Sequence, residues 1–175
     1  EAKARKMCDD ASFFNKEAIY YPAKDAIFYS ADVHGNQITG ERLRCISRII
    51  NHSSTGEGVL TVVTTMDGIA DRLIPVERFK EAVITLDYSS EIEPEKLAKK
   101  LVAMGFVRTG MVEDKGQFAI RGGIIDIFSY TDEAPVRIEL WDTEVDSIRM
   151  FDVESQRSIE RLQSYSIFPA TEYIF

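Results

Sequence analysis

Residues 107–130 read VRTGMVEDKGQFAIRGGIIDIFSY, and residues 135–158 read PVRIELWDTEVDSIRMFDVESQRS. In both blocks apolar and polar residues alternate, as they do in strands that bury one face. Within QFAIR, for example, Phe118 and Ile120 share one face and Arg121 lies on the other. The pattern predicts a small, mostly antiparallel sheet with one dry face and one polar face.

The connections between these strands support the same fold. The pair Gly122 and Gly123 predicts a tight hairpin, because glycine reaches the positive φ that two-residue turns require. Residues 145–151 alternate irregularly, which indicates a bulge or a bend. Asp126 interrupts the apolar run IIDIF, and we expect its carboxylate to accept hydrogen bonds from a buried donor or from an arginine.

The first half of the chain has a different organisation. Helical patterns at 4–14 and 39–51 alternate with strand-like runs, of which EAIYYP, GVLTVVTT and AVITLDY are the clearest. Such alternation is typical of a parallel α/β layer. After Tyr88 one further helical pattern precedes only strands and turns. We therefore predict two domains, residues 1–88 with an α/β layer and residues 89–175 with an α+β module.

Charge argues against nucleic acid as a direct ligand of this chain. The formal net charge is −8, and residues 91–175 carry 10 basic and 16 acidic groups. An acidic surface repels a phosphate backbone, so protein partners are favoured. The two cysteines, together with the lack of a signal segment or a long apolar run, favour a reduced, cytoplasmic protein.

The sequence offers no strong nucleotide site. GNQITG at Gly35–Gly40 is the nearest approach to a phosphate loop, but Glu41 and Arg42 follow where lysine and a hydroxyl residue are required. We interpret this segment as a loop that precedes a helix. The prediction is that this chain binds no cofactor of its own.

Catalytic and metal-binding patterns are also absent from the sequence. His34 and His52 do not combine with Cys8 and Cys45 at the spacing of a zinc site. No serine or cysteine nucleophile stands in a recognisable context with a base. We therefore predict no catalytic and no metal-ligating residues, and expect an interaction module rather than an enzyme.

Two arginines stand out on the predicted sheet. From the residues alone, Arg108 and Arg121 would form ion pairs with neighbours such as Glu113 or Glu139. Arginine also offers a planar fork of five donors and is enriched at interface hot spots. We expect both side chains to share the polar face of the sheet.

The strand blocks resemble the UvrB homology module, which occurs in the excision-repair protein UvrB and in transcription-repair coupling factors. The resemblance is carried by Arg108, GQFAIRGGIIDIF at 116–128, PVRIEL at 135–140, DTEVDSIR at 142–149 and FDVESQRS at 151–158. It implies that the first half is an incomplete RecA-like layer.

The resemblance also implies a partner and a site. In this family the module binds UvrA, the damage-recognition ATPase, and arginines on its strands contribute to the contact. Arg108 and Arg121 match two of these positions, whereas a third basic position is here Ala119. We include Phe118 as a candidate contact, although its alternation with Arg121 favours packing in the core.

One length difference favours the coupling-factor branch of the family. UvrB carries a long aromatic hairpin after the strand that ends in YYP, and here residues 30–40 are too short to contain it. A fragment of UvrB is the alternative, and a structural insert without a partner is a third possibility. We expect an N-terminal fragment of a longer protein.

The resemblance further implies the role of that longer protein. It would be an ATP-dependent DNA translocase that uses ATP and magnesium and that releases stalled RNA polymerase. Its contacts with RNA polymerase and double-stranded DNA would belong to other domains. The present chain would recruit UvrA to the stalled site in transcription-coupled nucleotide excision repair.

Overall fold

The chain folds into two compact units, Glu1–Val76 and Glu77–Phe175. Its computed structural model describes residues 1–24, 32–56, 58–70, 73 and 75–172, without the side chains of 32–36. Among these residues, none of the helices combines the length and the apolar character needed to cross a membrane. The predicted mixture of an α/β layer and a mostly antiparallel sheet is confirmed.

The first unit contains a small parallel sheet flanked by helices. Its described elements are α1 (Ala2–Phe14), β1 (Ala18–Tyr21), α2 (Asp32–Thr55), β2 (Thr61–Thr64) and α3 (Met66–Ala70). Strands β1 and β2 pair in parallel, from Ala18 with Thr61 to Tyr21 with Thr64. Parallel pairing requires a crossover, and α2 provides it.

Helix α2 begins earlier than the sequence pattern indicates. We expected a helix over 39–51 preceded by a loop, but the helix spans Asp32–Thr55 and includes the whole GNQITG segment. The loop interpretation of Gly35–Gly40 is therefore wrong. Its polar residues lack the apolar period that marks the later turns, and each glycine costs only about 1 kcal/mol in a helix. The side chain of His34 lies outside the described residues.

The second unit is built around a six-stranded sheet. Its elements are α4 (Val76–Ala82), β3 (Ile84–Asp87), α5 (Pro94–Ala103), β4 (Val107–Arg108), β5 (Gln117–Arg121), β6 (Ile124–Phe128), β7 (Val136–Trp141), β8 (Glu144–Phe151), β9 (Ser158–Arg161) and β10 (Ser164–Ile167). The strand order is β4-β5-β6-β7-β8-β9. Only the β4–β5 pair within this sheet is parallel.

The dry face of this sheet forms the core of the second unit. Phe118, Ile125, Ile127, Ile138 and Ile148 come from four neighbouring strands, and all five are fully buried. Register places them on one face, because paired residues in a sheet point to the same side.

The predicted turns and bulge of the large sheet are confirmed. Gly122 occupies the β5–β6 turn with a φ of 61°. Gly123 accepts a hydrogen bond from the backbone N–H of Leu140 at 2.8 Å, and a Cβ at this glycine would lie 2.9 Å from the carbonyl oxygen of Leu140. Pairing passes from Glu139 with Ser147 to Leu140 with Val145, so β8 contains an extra residue at this point.

Strand β3 pairs outside the first unit's sheet. It forms an antiparallel ladder with β10, from Ile84 with Ile167 to Asp87 with Ser164. The sequence pattern had grouped this strand with the α/β half, whereas its ladder lies within the second unit. The proposed domain division at residue 88 stays a prediction.

Candidate protein-interaction face

The polar face of the six-stranded sheet carries a group of charged residues from five consecutive strands. We define the polar face by residues whose side chains point away from the core in the observed register: Gln117, Ala119, Arg121, Asp126, Arg137, Glu139, Ser147, Arg149 and Arg161. These residues place four guanidinium groups and two carboxylates on one side of the sheet.

Asp126 is the centre of a buried ion-pair network. Its side chain is 1% exposed and accepts three hydrogen bonds from two arginines. Arg137 donates two of them, from Nε to Oδ1 at 2.7 Å and from Nη2 to Oδ2 at 2.9 Å. Arg121 donates the third, from Nη2 to Oδ2 at 2.7 Å. The expectation that Asp126 accepts hydrogen bonds from an arginine is confirmed.

Arg137 and Arg121 have different surroundings despite their shared carboxylate. Arg137 also donates to Gln156 Oε1 at 2.8 Å and lies 4.3 Å from the ring centroid of Phe151. Its hydrogen bonds to Asp126 raise the pKa of its guanidinium. Among the described residues Arg121 bonds only to Asp126, and its side chain is 43% exposed. Arg137 therefore compensates the buried charge, while Arg121 remains available to solvent.

A second ion pair lies beside this network. Arg149 pairs with Glu139 through Nη2, and Ser147 Oγ donates to the same carboxylate at 2.9 Å. Burial tends to raise the pKa of Glu139, but the bonds from Arg149 and Ser147 outweigh it and lower that pKa overall. Glu139 is therefore an ionised member of the polar face at neutral pH.

Arg108 lies on the opposite face of the sheet from Arg121. It pairs in register with Phe118, whose side chain points into the core, and it donates to Glu95 of α5 at 3.0 and 3.3 Å. These bonds lower the pKa of Glu95. The expectation that Arg108 and Arg121 share the polar face is wrong, because the parallel β4–β5 register places Val107, not Arg108, on that face.

The two remaining sequence candidates are both buried. Phe118 is 0% exposed, so it packs in the core, as its alternation with Arg121 had favoured. Ala119 is 1% exposed and belongs to a small apolar cluster with Val112 and Phe128. Val112, from the segment before β5, thus packs against Ala119, at the position where the resemblance implies a third basic side chain.

Sequence reasoning overlooked three residues that shape this face. Arg137 and Arg149 lie in the strand runs that carry the resemblance, yet neither was considered as a site residue. Their alternation with apolar neighbours in β7 and β8 would have placed both on the polar face. Trp141 ends β7 and is 80% exposed. Because β7 is uninterrupted, Trp141 points to the same side as Arg137 and Glu139. An exposed tryptophan is a residue type enriched at interface hot spots.

Outside the polar face, the described residues contain few groups that suggest a metal-binding or catalytic site. No three histidine, cysteine, aspartate or glutamate side chains lie close enough to hold a metal ion within the described residues. Cys8 and Cys45 are buried free thiols, and burial raises the pKa of Cys45 to about 12. His52, in the last turn of α2, approaches the carbonyl oxygen of Gly58 at 3.3 Å. These contacts are those of structural residues.

Comparisons with known proteins identify the second unit. The model of the UvrB interaction domain matches residues 84–173, from β3 onwards. A transcription-repair-coupling factor of Bacillus subtilis is 42% identical over 174 residues, which are 98% of this chain and 14% of the relative. One from Staphylococcus aureus (strain Mu50) is 38% identical over 167 residues, 95% of this chain and 14% of the relative.

A further coupling factor, from Staphylococcus haemolyticus, is 38% identical over 160 residues, 91% of this chain and 13% of the relative. The chain therefore spans about one seventh of the length of these relatives. Its predicted resemblance to the coupling-factor branch is confirmed. The chain belongs to the UvrB interaction domain family, and nearly all of it resembles one segment of the transcription-repair-coupling factors.

Proposed function

We propose that this chain is a protein-interaction segment that recruits UvrA during transcription-coupled nucleotide excision repair. The observation that carries the proposal is the match of the UvrB interaction domain to residues 84–173, the part of the chain that contains the polar face. The polar face is the docking surface, and Arg121 is its first candidate contact.

The geometry of Arg121 supports a role in binding. Its partner Asp126 keeps two hydrogen bonds from Arg137 if Arg121 moves away. The guanidinium of Arg121 can therefore exchange Asp126 for a carboxylate of UvrA without leaving a buried charge uncompensated. Because the side chain is already ordered by Asp126, less conformational entropy is lost on binding.

Arg108 and Phe118 have separate roles in this proposal. Arg108 belongs to β4, one of the two edge strands of the sheet, and its side chain is 46% exposed, so a partner that extends over this edge can reach it. Phe118 supports β5 from the core side and acts through the position of its neighbours. Arg108 and Arg121 are thus the proposed contacts.

The alternative of a structural insert rests on the ion pairs. Both arginines have internal carboxylate partners, Glu95 for Arg108 and Asp126 for Arg121. The Arg108–Glu95 pair is exposed on both sides, and such pairs contribute only about 0.2–1 kcal/mol to stability. Asp126 is buried, but it keeps its two hydrogen bonds from Arg137 without Arg121. Both arginine side chains are more than two-fifths exposed, so a contribution to stability is a weak explanation for the presence of arginine at these two positions.

The wider role of the complete protein belongs to the same proposal. Other domains would bind stalled RNA polymerase and translocate on double-stranded DNA with ATP and magnesium, in the cytoplasm. The described residues would contribute recruitment and no catalysis.

A pull-down tests the proposed function. The 175-residue chain, immobilised, is expected to retain purified UvrA, and the double variant R108A/R121A is expected to retain much less. Lys99→Ala is a matched control, because Lys99 is an exposed cation on α5. Equal retention of UvrA by the double variant would refute the assignment of these arginines, and no retention by the unchanged chain would refute recruitment itself.

A further inference from the structure

A row of charged residues crosses the polar face in register. Asp126 on β6 pairs with Arg137 on β7, Arg137 with Arg149 on β8, and Arg149 with Arg161 on β9. Their exposure rises along the row, from 1% for Asp126 through 17% and 26% for the next two side chains to an exposed Arg161 on β9. The positive end of the row is therefore the accessible one.

Among the described residues, ion pairs within the polar face leave Arg161, at the positive end of the row, without a counter-ion. Asp126 forms an ion pair with Arg137, and Glu139 forms one with Arg149. The side chain of Arg161 has no hydrogen-bond or ion-pair partner in the part of the chain that the structure describes. Arg149 and Arg161 are nevertheless paired in register, so their Cβ atoms are about 5 Å apart. Like charges at directly opposed positions of a sheet are destabilising.

The guanidinium of Arg149 is itself only partly satisfied. Its Nη2 pairs with Glu139, and its Nη1 approaches Ser158 Oγ at 3.5 Å. Its Nε is buried and has no hydrogen-bond partner among the described residues. Buried donors of native proteins are nearly always paired, so this arginine retains unused donor capacity beside the unpaired Arg161.

The charge of the chain indicates the kind of group that binds there. This cationic end belongs to a chain of net charge −8, which disfavours an extended phosphate backbone as the ligand. A single carboxylate fits, because guanidinium groups bind carboxylates through parallel hydrogen bonds. Four strand spacings separate β5 from β9, or about 19 Å, so one interface of ordinary size covers both Arg121 and Arg161.

We propose that Arg149 and Arg161 form a carboxylate-binding site for an acidic segment of the partner protein. The site deepens the proposed function and rests on it, since the partner is the protein that docks on the polar face. A bound carboxylate relieves the repulsion between the two arginines and accepts hydrogen bonds from the exposed donors of Arg161. Arg161 is the residue that contacts the partner, and Arg149 is held in place by Glu139.

Isothermal titration of the 175-residue chain with purified UvrA tests the site. The variants are R161E, R161A, R121A and the matched control K99E, which reverses an exposed charge on α5. We expect R161E to weaken binding about tenfold and K99E to weaken it less than about twofold. The R161E variant is also expected to unfold at an equal or higher temperature, because a glutamate opposite Arg149 replaces repulsion by attraction.

The outcomes separate this site from the proposed function. Weaker binding by R161E and R161A with unimpaired thermal stability supports the site, since a purely structural arginine would lower stability as well. If R121A weakens binding but R161E stays within about twofold of the unchanged chain, the site is refuted and recruitment stands. If the unchanged chain does not bind UvrA, both are refuted. Binding of a double-stranded oligonucleotide that depends on Arg161 would refute the acidic segment as the ligand.

Discussion

Removing the charge of Asp126 is expected to destabilise the second unit strongly. The substitution Asp126→Asn keeps the size of a side chain that is 1% exposed but leaves two guanidiniums without their shared anion. Breaking a buried ion pair from one side costs about 3–5 kcal/mol, and the partial exposure of Arg137 and Arg121 favours the lower end. We expect a loss of about 3 kcal/mol.

The neighbouring arginines provide the internal comparison for this prediction. Arg121→Ala leaves Asp126 with the 2.7 and 2.9 Å bonds from Arg137, so it is expected to cost only about 1 kcal/mol. Arg137→Ala removes both of those bonds and the contact with Phe151, so its cost should approach that of Asp126→Asn. A larger loss for Arg137→Ala than for Arg121→Ala would show that Arg137 stabilises the sheet and that Arg121 is available for binding.

Urea unfolding followed by circular dichroism measures these differences at pH 7. For a unit of about 100 residues, 3 kcal/mol also corresponds to a fall in thermal midpoint of roughly 12–24 °C. The reasoning is refuted if Arg121→Ala destabilises the chain as much as Asp126→Asn, or if Asp126→Asn costs less than about 1 kcal/mol.

Three further predictions concern other parts of the structure. Phe118→Ala should cost about 3–5 kcal/mol in urea unfolding, because it leaves a cavity in the core; a loss below about 1 kcal/mol would contradict its full burial. Cys45, with a pKa near 12, should react slowly with Ellman's reagent at pH 8 in the native chain and quickly in urea; fast native labelling of both thiols would contradict its burial. Glu139 has a folded pKa below its unfolded value near 4.5, so its ion pair stabilises the chain above that pH and is lost as the pH falls through the folded pKa. The stability advantage of the unchanged chain over Glu139→Gln should therefore shrink between pH 7 and pH 3, and a constant difference would contradict the ion pair.

Local patterns in the sequence predicted much of the second unit. The period-two alternation of QFAIR and VRIEL placed Phe118 in the core and Arg121 on the polar face, and the two glycines at 122 and 123 marked the hairpin. These features depend on neighbouring residues, so a single sequence contains the information. The role of Asp126 followed for the same reason, because a carboxylate inside an apolar strand requires donors.

Features that depend on pairing between distant residues were not predicted. The face of Arg108 is set by the parallel register of β4 with β5, and β4 is too short to show an alternation of its own. The ladder of β3 with β10 joins residues about 80 positions apart, which no local pattern reveals. The early start of α2 lies in a polar segment where the apolar period is missing.

The central claim is that UvrA covers the polar face of the second unit, and arginine footprinting tests it most directly. The chain is treated with phenylglyoxal with and without saturating UvrA, and modification of each arginine is quantified by mass spectrometry. The account predicts that UvrA protects Arg121 and Arg161 and leaves Arg78, an exposed arginine on α4, unchanged. Equal modification of Arg121 and Arg161 in the presence and absence of bound UvrA would contradict it.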